Sequence, residues 1–408
     1  MSGNFLLLTV LLVYIGAGRF VIRSMVGVPR DLLFALLNVA GFYLIFFYGN
    51  DQRASNHAFT RMFPVYLALI GVQYATMRIF SERKGWLPWI AFFTPILALI
   101  AVRYGARSSI EALRLPFPLG PYFVGVSYLA FRCSRLVLEV RNGTVQRPGF
   151  WRYAGFCLFV PTMSVGPINS YSVYQRAFED EPLAFPAGRS LLRILIGSVK
   201  YRFLGSIFFQ LSYASLLQDD HYHHWIDLPV AMFSYYLFLY CNFSGFCDMA
   251  IGAAGLVGVP VPENFDSPLT ARNVRIYWNR WHITLSQYMR DVVFAPLSKL
   301  LARLLGPAAT NHAVALSILV VFLLLGVWHG VGWNYAAFGA AHGFGLVANH
   351  YYTLGLKRRL GLEGFKKYNS NPWIHAAAVT TTFCYCGACL FLFANTFPEM
   401  KAIISSMR

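Results

Sequence analysis

The stretch YWNRWHITLSQYMRDVVF, Tyr277 to Phe294, concentrates polarity in a chain that is 57% hydrophobic and only 12% charged. With Asn273 and Arg275 just before it, it carries Asn279, Arg280, His282, Thr284, Ser286, Gln287, Arg290 and Asp291. Charge at membrane depth is costly unless it faces protein or water, so such a cluster marks a functional site. A second histidine, His329 in LLLGVWHGVGW, sits in an apolar run about 47 positions downstream. One histidine on a polar strip and one within a span form the pair around which chemistry would be built.

Working outward, 408 residues, 17% aromatics and a mean hydropathy of +0.50 place the chain among polytopic membrane proteins. A spanning helix needs roughly 20 apolar residues. The predicted passes are Phe5 to Ile22, Leu32 to Tyr48, Phe63 to Ile79, Trp86 to Val102, Phe123 to Val140, Phe150 to Val165, Leu191 to Leu217, Ile226 to Val257, Ala313 to Trp333, Ala336 to Tyr352 and Ile374 to Phe397. The expectation is an all-α polytopic protein of about eleven transmembrane helices. Gly and Pro interrupt Pro116 to Pro121 and Val160 to Pro167, and broken helices of this kind line cavities.

The first segment lacks a basic leader and a convincing cleavage site, so it reads as a retained span. Net charge is +17, carried by short loops between spans; topology, not nucleic acid, accounts for it. Arg19, Arg23 and Arg30 after the first span, and Arg78, Arg83 and Lys84 after the third, put the N-terminus outside the cytoplasm, against the pull of Arg53, Arg61, Arg103 and Arg107. Cys384, Cys386 and Cys389 lie in an apolar helix with no second knuckle and read as packing. The DDHYHHW run, Asp219 to Trp225, reads as a solvated interfacial loop, so no metal is expected. P-loop, GxSxG and HExxH motifs are absent. With no internal repeat and no long extramembrane stretch, residues 1–408 are taken as one membrane domain.

Five segments, in order, resemble the bacterial branch of the membrane-bound O-acyltransferase (MBOAT) family. They are GVSYLAFRCSRLVLEVRNG (Gly125 to Gly143), FVPTMSVGPINSYSVYQ (Phe159 to Gln175), CNFSGFCDMAIGAAGLVGVPVPENFDSP (Cys241 to Pro268), NVRIYWNRWHITLSQYMRDVVF (Asn273 to Phe294) and LGVWHGVGWNYAAFGAAHGFGLVANH (Leu325 to His350). The motif-bearing core runs from about residue 120 to 396. The resemblance implies broken helices around a central funnel or tunnel, with His329 catalytic and His282 the second active-site position. Branch members transfer D-alanyl groups in teichoic-acid modification or acetyl groups to alginate and related exopolysaccharides, and the motifs leave that choice open. The implied donor is a cytoplasmic acyl thioester, on a carrier-protein phosphopantetheine or CoA, used as co-substrate with no permanently bound cofactor. The implied acceptor is an envelope or exported glycopolymer, with an extracytoplasmic partner transferase completing delivery in some members.

The residues themselves agree with acyl transfer. A base must stand near the attacking hydroxyl, and histidine has the pKa for this at neutral pH. No serine elbow or activated cysteine setting is present, so direct attack assisted by His329 is simpler than a covalent enzyme intermediate. His282 would orient a substrate or hydrogen-bond the developing oxyanion. Asn279, Arg280, Ser286, Asp291 and Trp328 are the candidate substrate-binding residues. Arg290–Asp291 reads equally as an interfacial ion pair, and Trp278, Trp281 and Trp328 as cavity-wall aromatics. His342 and His350 read as helix–helix hydrogen-bonding groups. Gly326, Gly330, Gly332, Gly339, Gly343 and Gly345 permit close helix approach. The competing function is an acyl-group conduit or transporter that hands its cargo to a separate transferase, and the five ordered motifs favour the enzyme.

Overall fold

The computed structural model describes residues 2–49, 58–105, 124–179, 186–217 and 223–408. Pro116 to Pro121, Arg53, Arg107 and the Asp219–Tyr222 part of the histidine-rich loop lie outside the described residues. Among the described residues the chain is helical, with two isolated β-bridges and no strand. The backbone separates into two compact units, Met1–Gly197 with Phe246–Pro262, and Ser198–Gly245 with Glu263–Arg408.

The first unit contains α1 (Ser2–Ser24), α2 (Gly27–Phe42, extended by a π turn over Tyr43–Tyr48), α3 (Ala58–Phe80), α4 (Pro88–Tyr104), α5 (Val126–Arg141), α6 (Phe150–Cys157) and nearly all of α7 (Ala187–Ser198). α8 (Asp227–Val257) contributes its second half here and its first half to the other unit. Interior charges in this unit are tied down. Arg132 on α5 is buried and donates to the Phe156 carbonyl and to Thr162. Glu139 accepts from the Tyr171 and Ser172 amides, at 3.1 and 3.4 Å, and from the Ser172 hydroxyl. Arg152 pairs with Asp31 at 2.8 Å, and Arg193 with Asp248 at 3.0 Å. Charges survive in an apolar interior where hydrogen bonds or an opposite charge meet them.

The second unit adds α9 (Val274–Arg280), α10 (Ile283–Met289), a π turn over Arg290–Phe294, α11 (Ala295–Leu305), α12 (Thr310–His329), α13 (Trp333–Ser370, kinked at Gly361), α14 (Pro372–Ala394) and α15 (Phe397–Ser406). α12 and α13 form a tight antiparallel hairpin. A Cβ on Gly339 would stand 2.2 Å from the Phe322 carbonyl, and one on Gly326 would stand 2.3 Å from that of Tyr335. The glycines are therefore the contact surface itself.

By length and composition, five segments among the described residues suffice to cross a membrane: Gly27–Tyr48, Phe59–Phe80, Asp227–Val257, Pro307–His329 and Pro372–Ala394. Predicted passes Phe5 to Ile22 and Ala336 to Tyr352 fall inside α1 and α13. Others are interrupted. The Phe150 to Val165 segment stops being α-helical at Cys157 and continues as a 3-10 turn over Val160–Thr162, where Pro161 has no amide hydrogen to give. The Leu191 to Leu217 segment divides into α7, a π turn over Val199–Leu204 and short helices Gly205–Gln210 and Tyr213–Leu216.

Candidate active site

His282 lies between α9 and α10 with φ +43 and ψ 54, the left-handed region, and is 4% exposed. A non-glycine residue there carries about 1–3 kcal/mol of strain and persists only where surroundings fix it. The PENFDSP segment does so. The Asn264 carbonyl accepts from the Ile283 amide at 3.0 Å, the Asp266 amide donates to the Arg280 carbonyl at 3.0 Å, and Phe265 bridges Trp281 in antiparallel sense.

Asn264, itself fully buried, also reads the imidazole. Its Oδ1 accepts from the Thr284 amide at 3.2 Å and the Thr284 hydroxyl at 2.9 Å, and stands 3.1 Å from His282 Nδ1. The amide donor identifies this atom as the oxygen, so Nδ1 bears the hydrogen and Nε2 presents a lone pair. Phe243 closes over the ring edge-on at 4.8 Å. His282 lies outside the apolar spans. Burial pushes its pKa down to about 3, and a proton gained by His329 would act in the same direction.

His329 is the last residue of α12. The sequence predicts a span continuing to Trp333, but the helix stops here: Gly330 is extended (φ -169, ψ 175) and α13 begins at Trp333. A Cβ on Gly330 would stand 2.0 Å from the Tyr335 ring, so the turn depends on that glycine. The His329 ring is half-buried, packed against Trp328 at 4.6 Å, Phe393 at 5.1 Å and Phe338 at 5.9 Å. Contact with a bound molecule would require this openness.

His342 on α13 is fully enclosed and accepts at Nδ1 from the Trp278 indole at 3.2 Å, which leaves its hydrogen on Nε2. The two enclosed imidazoles thus differ in tautomer, His282 keeping a lone pair on Nε2 and His342 an N–H there. His350 lies elsewhere on α13, 3.2 Å from Asn311.

The other sequence-selected residues divide. Ser286 stays in the turn, its amide donating to the His282 carbonyl at 3.0 Å and its hydroxyl to the Trp281 carbonyl at 3.4 Å. Trp328 packs on His329. Arg280 reaches Thr270 Oγ1 at 3.4 Å. Asn279 is exposed, and exposed Asp291 faces Arg290 at 3.4 Å. Asn264, Thr284 and Phe243 hold His282; Thr284 belongs to the polar strip picked out in the sequence, whereas Asn264 and Phe243 escape sequence reasoning. Asn264 lies within a quoted motif, but an asparagine in a loop reads first as a turn former.

Known proteins resemble this chain over much of its length. The sequence pattern described as MBOAT, membrane-bound O-acyltransferase family, matches residues 65–394. The chain belongs to that family and is a multi-pass membrane acyltransferase. It is 30% identical over 331 residues to the teichoic acid D-alanyltransferase of Streptococcus thermophilus, 76% of either chain. It is 30% identical over 218 residues to the peptidoglycan O-acetyltransferase of Helicobacter pylori, half of this chain and 38% of that one. It is 26% identical over 255 residues to the probable alginate O-acetylase AlgI of Pseudomonas aeruginosa, 62% of this chain and 46% of that one.

Proposed function

We propose that the protein moves a small acyl group, D-alanyl or acetyl, from a cytoplasmic thioester to a hydroxyl of a cell-envelope or exported glycopolymer. The thioester is carried on phosphopantetheine of a carrier protein or on CoA, and the enzyme sits in the cytoplasmic membrane with its N-terminus outside. The observation that carries this reading is the pair of histidines in one unit, His282 enclosed and His329 half-open.

In this reading His282 Nε2 accepts the N–H of the His329 imidazole, leaving the other His329 nitrogen as general base. His329 removes the proton of the acceptor hydroxyl as its oxygen attacks the thioester carbonyl. The tetrahedral intermediate then collapses, the C–S bond breaks, and the proton passes to the departing thiol. The cation formed on His329 meets the negative end of α12. The oxyanion role considered for His282 does not fit its tautomer, because a neutral ring with hydrogen on Nδ1 has no N–H left to give, whereas acceptance at Nε2 does.

Purified protein in detergent, given an acyl thioester and a soluble acceptor fragment, should form ester without a membrane gradient. If neither wild type nor His329→Ala consumes thioester with any acceptor offered, while cells lacking the protein lose polymer acylation, the conduit replaces the enzyme.

A further inference from the structure

A cleft of about 300 Å³ opens in the second unit between the start of α9, the middle of α13 and the start of α14. Its lining includes Arg272, Arg275, Asn349, Tyr368, Asn369 and His375, and no carboxylate. Arg272 Nη1 donates to the carbonyl of Asn369, a fellow lining residue, at 3.4 Å. Tyr368 and Tyr352, both in the lining, join hydroxyls at 3.0 Å. Two guanidinium groups with amide and phenol donors and no competing anion form a positive field suited to phosphate, which arginine binds through paired N–H donors.

The position is equally specific. Asn311 to His350, at 3.2 Å, and His312 to Tyr351, at 2.7 Å, tie this part of α13 to the first turn of α12, whose opposite end is His329. From Asn349 back to Tyr335, the residue beside Gly330, is about 21 Å at helical rise. Seven residues, about 10 Å, separate Asn349 from His342. A thioester on a long flexible arm with phosphate at its root would reach the histidines from here.

We propose that this cleft is a binding site for a phosphate mono- or diester, and that its ligand is the phosphate at the root of the donor's pantetheine arm. The proposal rests on the thioester reading above. The same chemistry is offered by an anionic lipid headgroup, and the test separates the two. Full-length protein in detergent is titrated with 4′-phosphopantetheine and with pantetheine, for wild type, the Arg272→Gln/Arg275→Gln double variant and Lys366→Gln, whose lysine lies outside the lining. Phosphopantetheine should bind wild type more tightly than pantetheine, and the double variant should lose that preference, with about tenfold weakening per arginine. Lys366→Gln should bind as wild type.

In parallel, the same proteins in nanodiscs of phosphatidylcholine with or without phosphatidylglycerol are scored for retained phosphatidylglycerol. An arginine-dependent loss there, with phosphopantetheine and pantetheine binding alike, keeps the phosphate site and assigns it to lipid. If neither readout changes in the double variant, or if Lys366→Gln changes both equally, the site is overturned. His329→Ala retains the cleft and should bind phosphopantetheine as wild type does, so failure of the catalytic reading and failure of this one are told apart.

Discussion

The turn holding His282 and the hairpin end holding His329 use opposite means to place the same side chain. At His282 the backbone is strained, the ring is enclosed, and one amide oxygen gathers three donors, from the ring, the Thr284 amide and the Thr284 hydroxyl. At His329 the backbone is ordinary helix to its last residue, and the ring is held by aromatic packing with one side open. A group fixed by hydrogen bonds in a closed pocket sets direction, whereas one packed at a helix end is free to exchange a proton with a visitor. On the proposed mechanism, the contrast gives orientation to the turn and chemistry to the hairpin.

The most damaging way to test that division is His329→Ala. Thioester consumption should fall by about 100-fold or more while expression and membrane insertion stay normal. Wild-type polymer acylation by a well-inserted variant would end the base assignment. His282→Ala should cost less, about 10- to 100-fold in kcat, because it removes an orienting partner and leaves the base. A loss equal to that of His329→Ala would make the two residues one inseparable unit and erase the contrast.

Asn264→Ala should lower kcat by about tenfold with KM little changed, since only the tautomer and aim of His282 are released. Asn264→Asp keeps an acceptor at Nδ1 and should recover much of the rate, with a shifted pH profile. Equal defects in Ala and Asp would reduce Asn264 to packing.

The smallest effect concerns pH. The His282 pKa, about 3 when folded, lies below the ordinary histidine value, so the unfolded chain binds more protons between the two. This group's contribution to stability is complete above about pH 6.5 and is lost as pH falls from there toward 3. Tm of wild type should therefore drop more steeply than that of His282→Asn between pH 6.5 and 5, the curves running parallel above pH 7. Parallel curves throughout would mean that the ring is not kept neutral.

Much of this was legible beforehand. The apolar runs announced helices, the Gly and Pro in Val160 to Pro167 announced a break, and both histidines stood out against their surroundings. The end of α12 at His329 was hidden, because VWHGVGW reads as apolar through Trp333 and only the Tyr335 ring against Gly330 reveals the turn. Asn264 was hidden for a different reason: its partners, 18 and 20 residues away, become neighbours only when the PENFDSP segment folds back on the strip. The polar strip also proved uneven. Its charged members Arg290 and Asp291 face outward, while the uncharged Thr284 is buried with the histidine.

The left-handed backbone at His282 also limits which residues this position admits. Apart from glycine, the side chains that occupy that region most readily are asparagine, aspartate and histidine. Asparagine is the one of these that keeps a neutral hydrogen-bonding group without titrating near neutrality, whereas glutamine, alanine or a β-branched residue brings a conformational cost before any chemistry is lost. Replacements at position 282 thus carry two signals at once, and a series running from asparagine through alanine to valine would separate the residue's contribution to the shape of the turn from its contribution to the reaction.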